Sequence, residues 1–252
     1  MNTHRHLYLH PDPEALSRAA AQRLIEYAAR TTAERGAFHL ALAGGSTPRG
    51  LYQRLTSPEC ARRIDWSRVH VYFGDERCVP PDHPDSNFLM AQQTLLSRVP
   101  IPRAQIHAIR ADPATLSQDA EAYGRLLSEQ LPRSEDNAPQ FDLILLGLGH
   151  DGHTASLFPG TPILSERVRP AAGVYAPALP PWRVSVTLPV LDHARRLMFL
   201  VTGADKAEIV RRVFLSPSAK PPLPVQLIAP RGEVEWHLDA AAAQHLPREA
   251  AR

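Results

Sequence analysis

Apolar positions along this chain follow two alternating patterns, short runs of consecutive hydrophobic residues and longer segments that repeat every three or four. The first pattern suits strands buried in a parallel sheet, the second suits helices that cover it. His6–His10 reads as a first strand, broken by Pro11-Asp12-Pro13. Pro13–Arg35 reads as a helix, with Leu16, Ala19, Ala20, Leu24 and Tyr27 at helical spacing and Gly36 just past its end. Phe38–Ala43 and Val69–Phe73 read as strands, with a helix over Arg49–Leu55 between them. Further helices are expected over Asn87–Val99 and over Asp112–Leu131, the latter capped by Asp112 ahead of Pro113. Ile106–Ile109 reads as a short strand and Arg133–Gln140 as a polar linker.

Phe141–Leu146 is the apolar run around which the chain is organised, interrupted only by Asp142. Thr154 and Ser156 then look like the start of a helix closed by Pro159-Gly160. Six prolines from Pro159 to Pro181 mark an irregular stretch, and Pro217, Pro221, Pro222 and Pro224 a later loop. Arg183–Leu188 alternates as a strand, Pro189–Ala194 is a turn or short helix, and Arg196–Thr202 is a buried strand. Ala204–Phe214 and Pro224–Ile228 read as helices, Glu233–Leu238 as the last strand, and Asp239 as the cap of an alanine-rich terminal helix. This order predicts an α/β fold: a doubly wound, mostly parallel sheet with helices on both faces, Rossmann-like, in a single domain over residues 1–252.

In such sheets ligands bind beyond the carboxyl ends of the strands, and three of these strands end in chemically loaded loops. Gly44-Gly45-Ser46-Thr47-Pro48 leads into a helix. Ser46 or Thr47 can cap it, and its free N–H groups and dipole favour a phosphate; an ordinary capped turn would read the same way. Gly74-Asp75-Glu76-Arg77 places three charges directly after a buried strand, although charged loops are common. Gly147–Gly152 matches G-x-G-x-x-G, the dinucleotide fingerprint. That fingerprint wants an acid about 20 residues on. The nearest, Glu166, lies in the proline-rich stretch. The competing readings of Gly147–Gly160 are a tight turn with a surface histidine and a catalytic loop presenting His153 beside Asp151. Lys206 sits in the first turn of a helix, where the dipole disfavours a cation unless it faces an anion.

Composition narrows the field. A net charge of +2 with scattered arginines gives no electrostatic case for nucleic acid. Cys60 and Cys78, with no C-x-x-C, suggest neither a zinc framework nor a disulfide scaffold and fit a reducing compartment. The N-terminus lacks a long apolar region, and no run approaches the roughly 20 apolar residues of a membrane helix. The expectation is a cytoplasmic protein, a monomer or weak dimer, with no nucleic-acid or membrane partner.

Taken together, LALAGGSTPRGLY at 40–52, VYFGDERCVPPDHPDSNF at 71–88 and FDLILLGLGHDGHTASLFPG at 141–160 resemble the 6-phosphogluconolactonase family, which is related to glucosamine-6-phosphate deaminases. RVSVTLPVL at 183–191, VTGADKA at 201–207 and VEWHLDAAAA at 234–243 complete the set. Deaminases share the GxGxDGH core but continue like IAFNEP, where this chain reads TASLFPG. Cys78 departs from the valine-like residue that lactonases often carry there.

The resemblance implies hydrolysis of 6-phosphoglucono-δ-lactone to 6-phosphogluconate in the oxidative pentose phosphate pathway, with no cofactor and no metal. His153 would act as general base on water, with Asp151 orienting it or holding a hydroxyl. Arg77 would stabilise charge on the carbonyl oxygen, with Asp75 holding Arg77 or sugar hydroxyls. The phosphate would sit on Gly44, Gly45, Ser46 and Thr47 with Asn87, Arg183 and Lys206 nearby. The alternatives are a glucosamine-6-phosphate deaminase or isomerase, a non-catalytic sugar-phosphate sensor and a nucleotide-dependent oxidoreductase.

Overall fold

Strands β1 (Arg5–His10), β2 (Phe38–Leu42), β3 (Val69–Phe73), β5 (Leu143–Leu146), β8 (Arg196–Val201) and β9 (Glu233–Asp239) form one sheet in the order β1-β9-β8-β5-β2-β3. Every pairing in it is parallel. The computed structural model describes residues 5–216 and 220–247, so Pro217 of the expected proline loop lies outside the described residues.

Helix α1 (Pro13–Arg35) is capped by Asp12, whose carboxylate accepts the Ala15 N–H at 2.7 Å, and ends at Gly36 in the left-handed region. It is followed by α2 (Ser46–Leu55), α3 (Pro58–Ala61), α4 (Asn87–Ala91) and α5 (Leu116–Gln130), and then by α6 (Leu188–His193) and α7 (Ala207–Leu215). The two faces of the sheet are told apart by alternate residues of β9. Glu235 turns to α1, where it meets Arg23 and Tyr27. Trp236 stacks on Phe199 at 3.9 Å and meets Phe214 of α7 edge-on. The doubly wound, parallel α/β expectation holds, with β2 and β5 fully buried as their unbroken apolar runs require. Among the described residues, no helix is long and apolar enough to cross a membrane.

A second, antiparallel sheet departs from the sequence reading. It has the order β4-β7-β6, from β4 (Asp75–Arg77), β7 (Trp182–Val186) and β6 (Ala171–Tyr175). The GDER stretch, read as a loop, is therefore a short strand, and part of the irregular proline-rich stretch is another. Arg183–Leu188 is strand at its start, as its alternation predicts, but it joins this sheet and not the parallel one. Ile106 makes only an isolated bridge to Val71. Helix α5 begins after Thr115; Asp112 instead accepts the Ala114 N–H in a turn ahead of it. The residues after Asp239 form turns rather than a helix, although the Asp239 carboxylate does accept the Ala242 N–H at 2.8 Å.

Two buried tyrosines fix the strand ends that matter. Tyr52 Oη of α2 donates to Ala43 O at 2.8 Å and accepts Ala43 N–H at 3.0 Å. Tyr123 Oη of α5 does the same for Phe73, at 2.8 and 3.0 Å. Each satisfies both backbone groups where the ladder stops, which a buried strand end otherwise leaves unpaired. The two loops that leave β2 and β3 therefore start from anchored points.

Candidate active site

Strand order reverses between β2 and β5: the chain proceeds from β2 outward to β3, and from β5 the other way to β8 and β9. Loops leaving adjacent parallel strands in opposite senses open a crevice at the carboxyl edge. Here that crevice is a cleft of about 270 Å³. Gly44, Gly45, Ser46, Thr47, Asp75, Arg77, His153, Arg183 and Lys206 all line it. Nine of the eleven residues singled out by sequence thus converge from five segments. The other two, Asp151 and Asn87, stand behind it.

The turn after β5 sets His153. Gly152 N–H donates to Gly149 O at 3.0 Å, and Gly149 N–H donates to His153 O at 2.8 Å. This folds the imidazole back over Gly149, where a Cβ would sit 2.0 Å from His153 Nδ1, so only glycine fits. Asp151 Oδ1 accepts the His153 backbone N–H at 3.1 Å and lies 2.5 Å from His153 Nδ1. A carboxylate can only accept, so Nδ1 carries the proton and Nε2 is left with its lone pair. The opposite ring face stacks on Phe158, centroids 4.1 Å apart. Burial depresses the His153 pKa below 6.5, and Arg183 adds to this; Asp151 and Asp75 oppose it without reversing it. Burial would raise the Asp151 carboxyl, but the His153 N–H and imidazole hold it below its ordinary value. The pair is thus a neutral imidazole against a carboxylate.

Thr154 and Ser156 do not begin a helix. Thr154 Oγ1 donates to Gly147 O at 2.9 Å, and Ala155 takes a positive φ of 47° in a turn bridged by Thr154 and Leu157. The turn buries Ser156 completely, and its hydroxyl donates to Asp75 Oδ2 at 2.6 Å.

The small sheet supplies the arginines. Side chains two apart on a strand share a face, and the β4–β7 register pairs Asp75 with Ser185 and Arg77 with Arg183. Asp75, Arg77 and Arg183 therefore stand on one face, toward the cleft. The guanidinium of Arg183 lies 5.2 Å over the Phe158 ring, and its Nε donates to Pro180 O at 3.1 Å. Burial lowers the Arg183 pKa, Asp75 opposes this, and Arg77 adds like-charge repulsion. Arg77 Nη1 donates to Asp85 O at 2.6 Å, while its buried Nε has no acceptor.

On the other face of β4, Glu76 accepts the N–H groups of Arg77, Asn87 and Phe88 and the Ser86 hydroxyl, at 2.7 to 3.1 Å. It fixes the start of α4 and, with it, Asn87. Asn87 Nδ2 donates to Asp75 O at 2.9 Å and to Asp75 Oδ1 at 3.2 Å. A Cβ on Gly44 would meet Asn87 Oδ1 at 1.9 Å. Asn87 thus braces Asp75 and the glycine loop from behind instead of lining the cleft, because its amide is used up there.

Neither Ser46 nor Thr47 caps α2. The helix begins at Ser46 with Gly45 as its N-cap and no side-chain cap bond. Thr47 Oγ1 instead bonds Thr202 Oγ1 at 2.7 Å, tying the loop to the end of β8. The first N–H groups of α2 thus have no side-chain cap, at the positive end of the helix dipole, where Ser46 and Thr47 line the cleft. Lys206 lies in a three-residue 3-10 turn, Ala204–Lys206, ahead of α7. Burial lowers its pKa, with Asp205 and Asp151 opposing.

Sequence reasoning missed Phe158, Ser156, Thr202 and Glu76. A hydroxyl following the apolar run of β8 was a signal for Thr202. Nothing local marked Phe158, whose ring meets Arg183 of β7. Glu76 showed only as one of three charges after β3, with nothing to single out its partners Arg77, Ser86, Asn87 and Phe88.

Residues 11–236 match the family described as "Glucosamine-6-phosphate isomerases/6-phosphogluconolactonase". The chain is 42% identical over 218 residues to 6-phosphogluconolactonase of Synechocystis sp., covering 86% of this chain and 88% of that protein. It is 40% identical over 241 residues to 6-phosphogluconolactonase of Rattus norvegicus, covering 93% and 91%. The solved 6-phosphogluconolactonase of Trypanosoma brucei matches with a TM-score of 0.86 at 30% identity, over 98% of this chain and 100% of that one. A monomeric glucosamine-6-phosphate deaminase shares the fold at a TM-score of 0.78 and 20% identity, covering 95% of this chain and 99% of that one. With the family match spanning residues 11–236 and these relatives covering nearly all of both chains, this chain belongs to the glucosamine-6-phosphate isomerase/6-phosphogluconolactonase family.

Proposed function

We propose that the chain hydrolyses 6-phosphoglucono-δ-lactone to 6-phosphogluconate in the pentose phosphate pathway, with His153 as the general base. The observation that carries this is the 2.5 Å contact of His153 Nδ1 with Asp151, on a cleft that also holds Arg77, Arg183 and Lys206. The contact leaves Nε2 free to accept a proton, and the depressed pKa keeps the ring neutral near pH 7.

Nε2 takes a proton from water as the oxygen attacks the lactone carbonyl. The carbonyl oxygen becomes an anion, which Arg77 stabilises. When the tetrahedral intermediate collapses, the bond from the carbonyl carbon to the ring oxygen breaks. The imidazolium returns its proton to that ring oxygen, so one water is consumed and the base is regenerated. Asp151 steadies the imidazolium in between. Asp75, held by Ser156 and Asn87, accepts sugar hydroxyls. The phosphate rests on the N–H groups of Gly45, Ser46 and Thr47, with Lys206 and Arg183 as counter-charges.

Acid release from freshly prepared lactone, followed at constant pH with and without the protein, tests this reading. The rate should exceed spontaneous hydrolysis in proportion to protein added. Ammonia release from glucosamine 6-phosphate without lactone hydrolysis would assign the cleft to deamination instead.

A further inference from the structure

At the opposite end of the parallel sheet lies a second concavity, of about 510 Å³. Its walls carry Arg30, Arg35, Arg195, Arg196 and Arg231 against only two acids, Glu34 and Glu233. Arg195 and Arg196 precede and begin β8, whereas Thr202 and Lys206 follow it. A strand of six residues spans roughly 20 Å at about 3.3 Å per residue, so this pocket is separate from the cleft.

Carboxylates answer only part of the charge. Buried Asp142 faces both Arg35, at 3.2 Å, and Arg195, at 3.4 Å, and Glu34 meets Arg35 at 3.1 Å. Glu233 meets Arg196 at 3.0 Å, and Asp136 meets Arg231. Among the described residues, Arg30 meets only the ring of Tyr27, at 5.7 Å. Arg195 Nε makes no hydrogen bond, its carboxylate neighbour Asp142 Oδ1 lying 3.4 Å away. The end of α1 favours cations, which accounts for Arg35 in its last turn. It does not account for Arg195, Arg196 and Arg231, which arrive from the approaches to β8 and β9.

We infer that this pocket binds a small phosphate-bearing polyanion. Five guanidiniums around one hollow offer the planar forks that match phosphate oxygens. Their mutual repulsion is relieved by an anion among them. The volume falls within the range of small-molecule sites and exceeds what a lone phosphate fills.

The test is calorimetric titration of the full chain with pyrophosphate. Arg30→Gln with Arg231→Gln removes two rim charges without exposing Asp142, and Arg62→Gln with Arg103→Gln is the charge-matched control on exposed positions. The expected result is a binding event weakened about tenfold or more by the first pair, the scale of a lost charge-assisted contact, and unchanged in the control. That event persists in Lys206→Ala, which marks it as distinct from the cleft, and lactone turnover stays at the wild-type rate in the Arg30/Arg231 variant. Absence of any event sensitive to Arg30 and Arg231, or an equal loss in the control, overturns the inference whatever becomes of the lactonase reading.

Discussion

Nδ1 of His153 and Oδ1 of Asp151 lie 2.5 Å apart, and this one contact assigns the proton on the ring. Because the carboxylate fixes the tautomer, Asp151→Asn should damage the base without removing it. An amide can donate to Nδ1 and so invert the ring, aiming the protonated nitrogen at the substrate. We expect kcat to fall on the order of 100- to 1,000-fold, in the lower part of the span of general-base effects, with KM little changed. Steady-state kinetics on the lactone decide it, and unchanged kcat would remove Asp151 from the mechanism.

The acid limb of the rate profile should report the same imidazole. The active form is neutral, so kcat/KM falls as pH drops through the His153 pKa, and burial sets that midpoint below 6.5. Phe158 covers one ring face. Phe158→Leu should admit water and move the limb upward, toward 6.5. A limb at the same pH in both proteins would show that Phe158 does not set the imidazole's environment.

Lys206 is expected to recognise phosphate rather than the ring. Lys206→Ala should raise KM for the phosphorylated lactone by about ten- to a hundredfold, matching roughly 1.5–3 kcal/mol for a hydrogen bond to a charged group. It should scarcely affect unphosphorylated gluconolactone. Comparing kcat/KM for both lactones separates the possibilities, and an equal loss on both would place Lys206 at the ring or in the fold.

A histidine stack with His39 buried at one end makes stability depend on pH. His39 lies 5.0 Å from His70 and His70 lies 5.6 Å from His107, with Tyr72 stacked on His107 and its hydroxyl 3.3 Å from His39. Burial first, then repulsion from His70 and His107, lowers His39 to about 4. Its unfolded value is near 6.5, so protons bind the unfolded chain preferentially between those values. Stability is therefore full above pH 6.5 and is lost as pH falls toward 4. Between pH 7 and pH 5 this group should remove roughly 2 kcal/mol, or about 4–8 °C of Tm in a chain of this size. Melting curves of wild type and His39→Phe at both pH values should differ in slope by that amount, and parallel slopes would refute it.

Much of this was legible in the sequence because it is local. The runs of β2 and β5 could only be buried strands, and glycines, acids and histidine after them could only lie at one sheet edge. What was not legible depended on long-range pairing. Asp75–Arg77 is too short and too charged to read as a strand until β7 supplies its ladder. Thr154–Ser156 has the composition of a helix start, but Ser156 is drawn to Asp75, 81 residues earlier, and the chain turns instead. In the sequence Asn87 reads as a substrate ligand, being polar and near the right loop. The structure turns its amide to Asp75, which only the placement of Glu76 could have revealed.

Replacing His153 itself tests the central claim most directly. With His153→Ala, initial rates of acid release over a range of lactone concentrations give kcat and KM, after correction for spontaneous hydrolysis. The account expects kcat to drop by about 10²–10⁴-fold while KM stays within a few-fold of wild type, because the phosphate seat is untouched. A variant that turns over at nearly the wild-type rate, or one that loses binding as heavily as turnover, would contradict the assignment of His153 as the base.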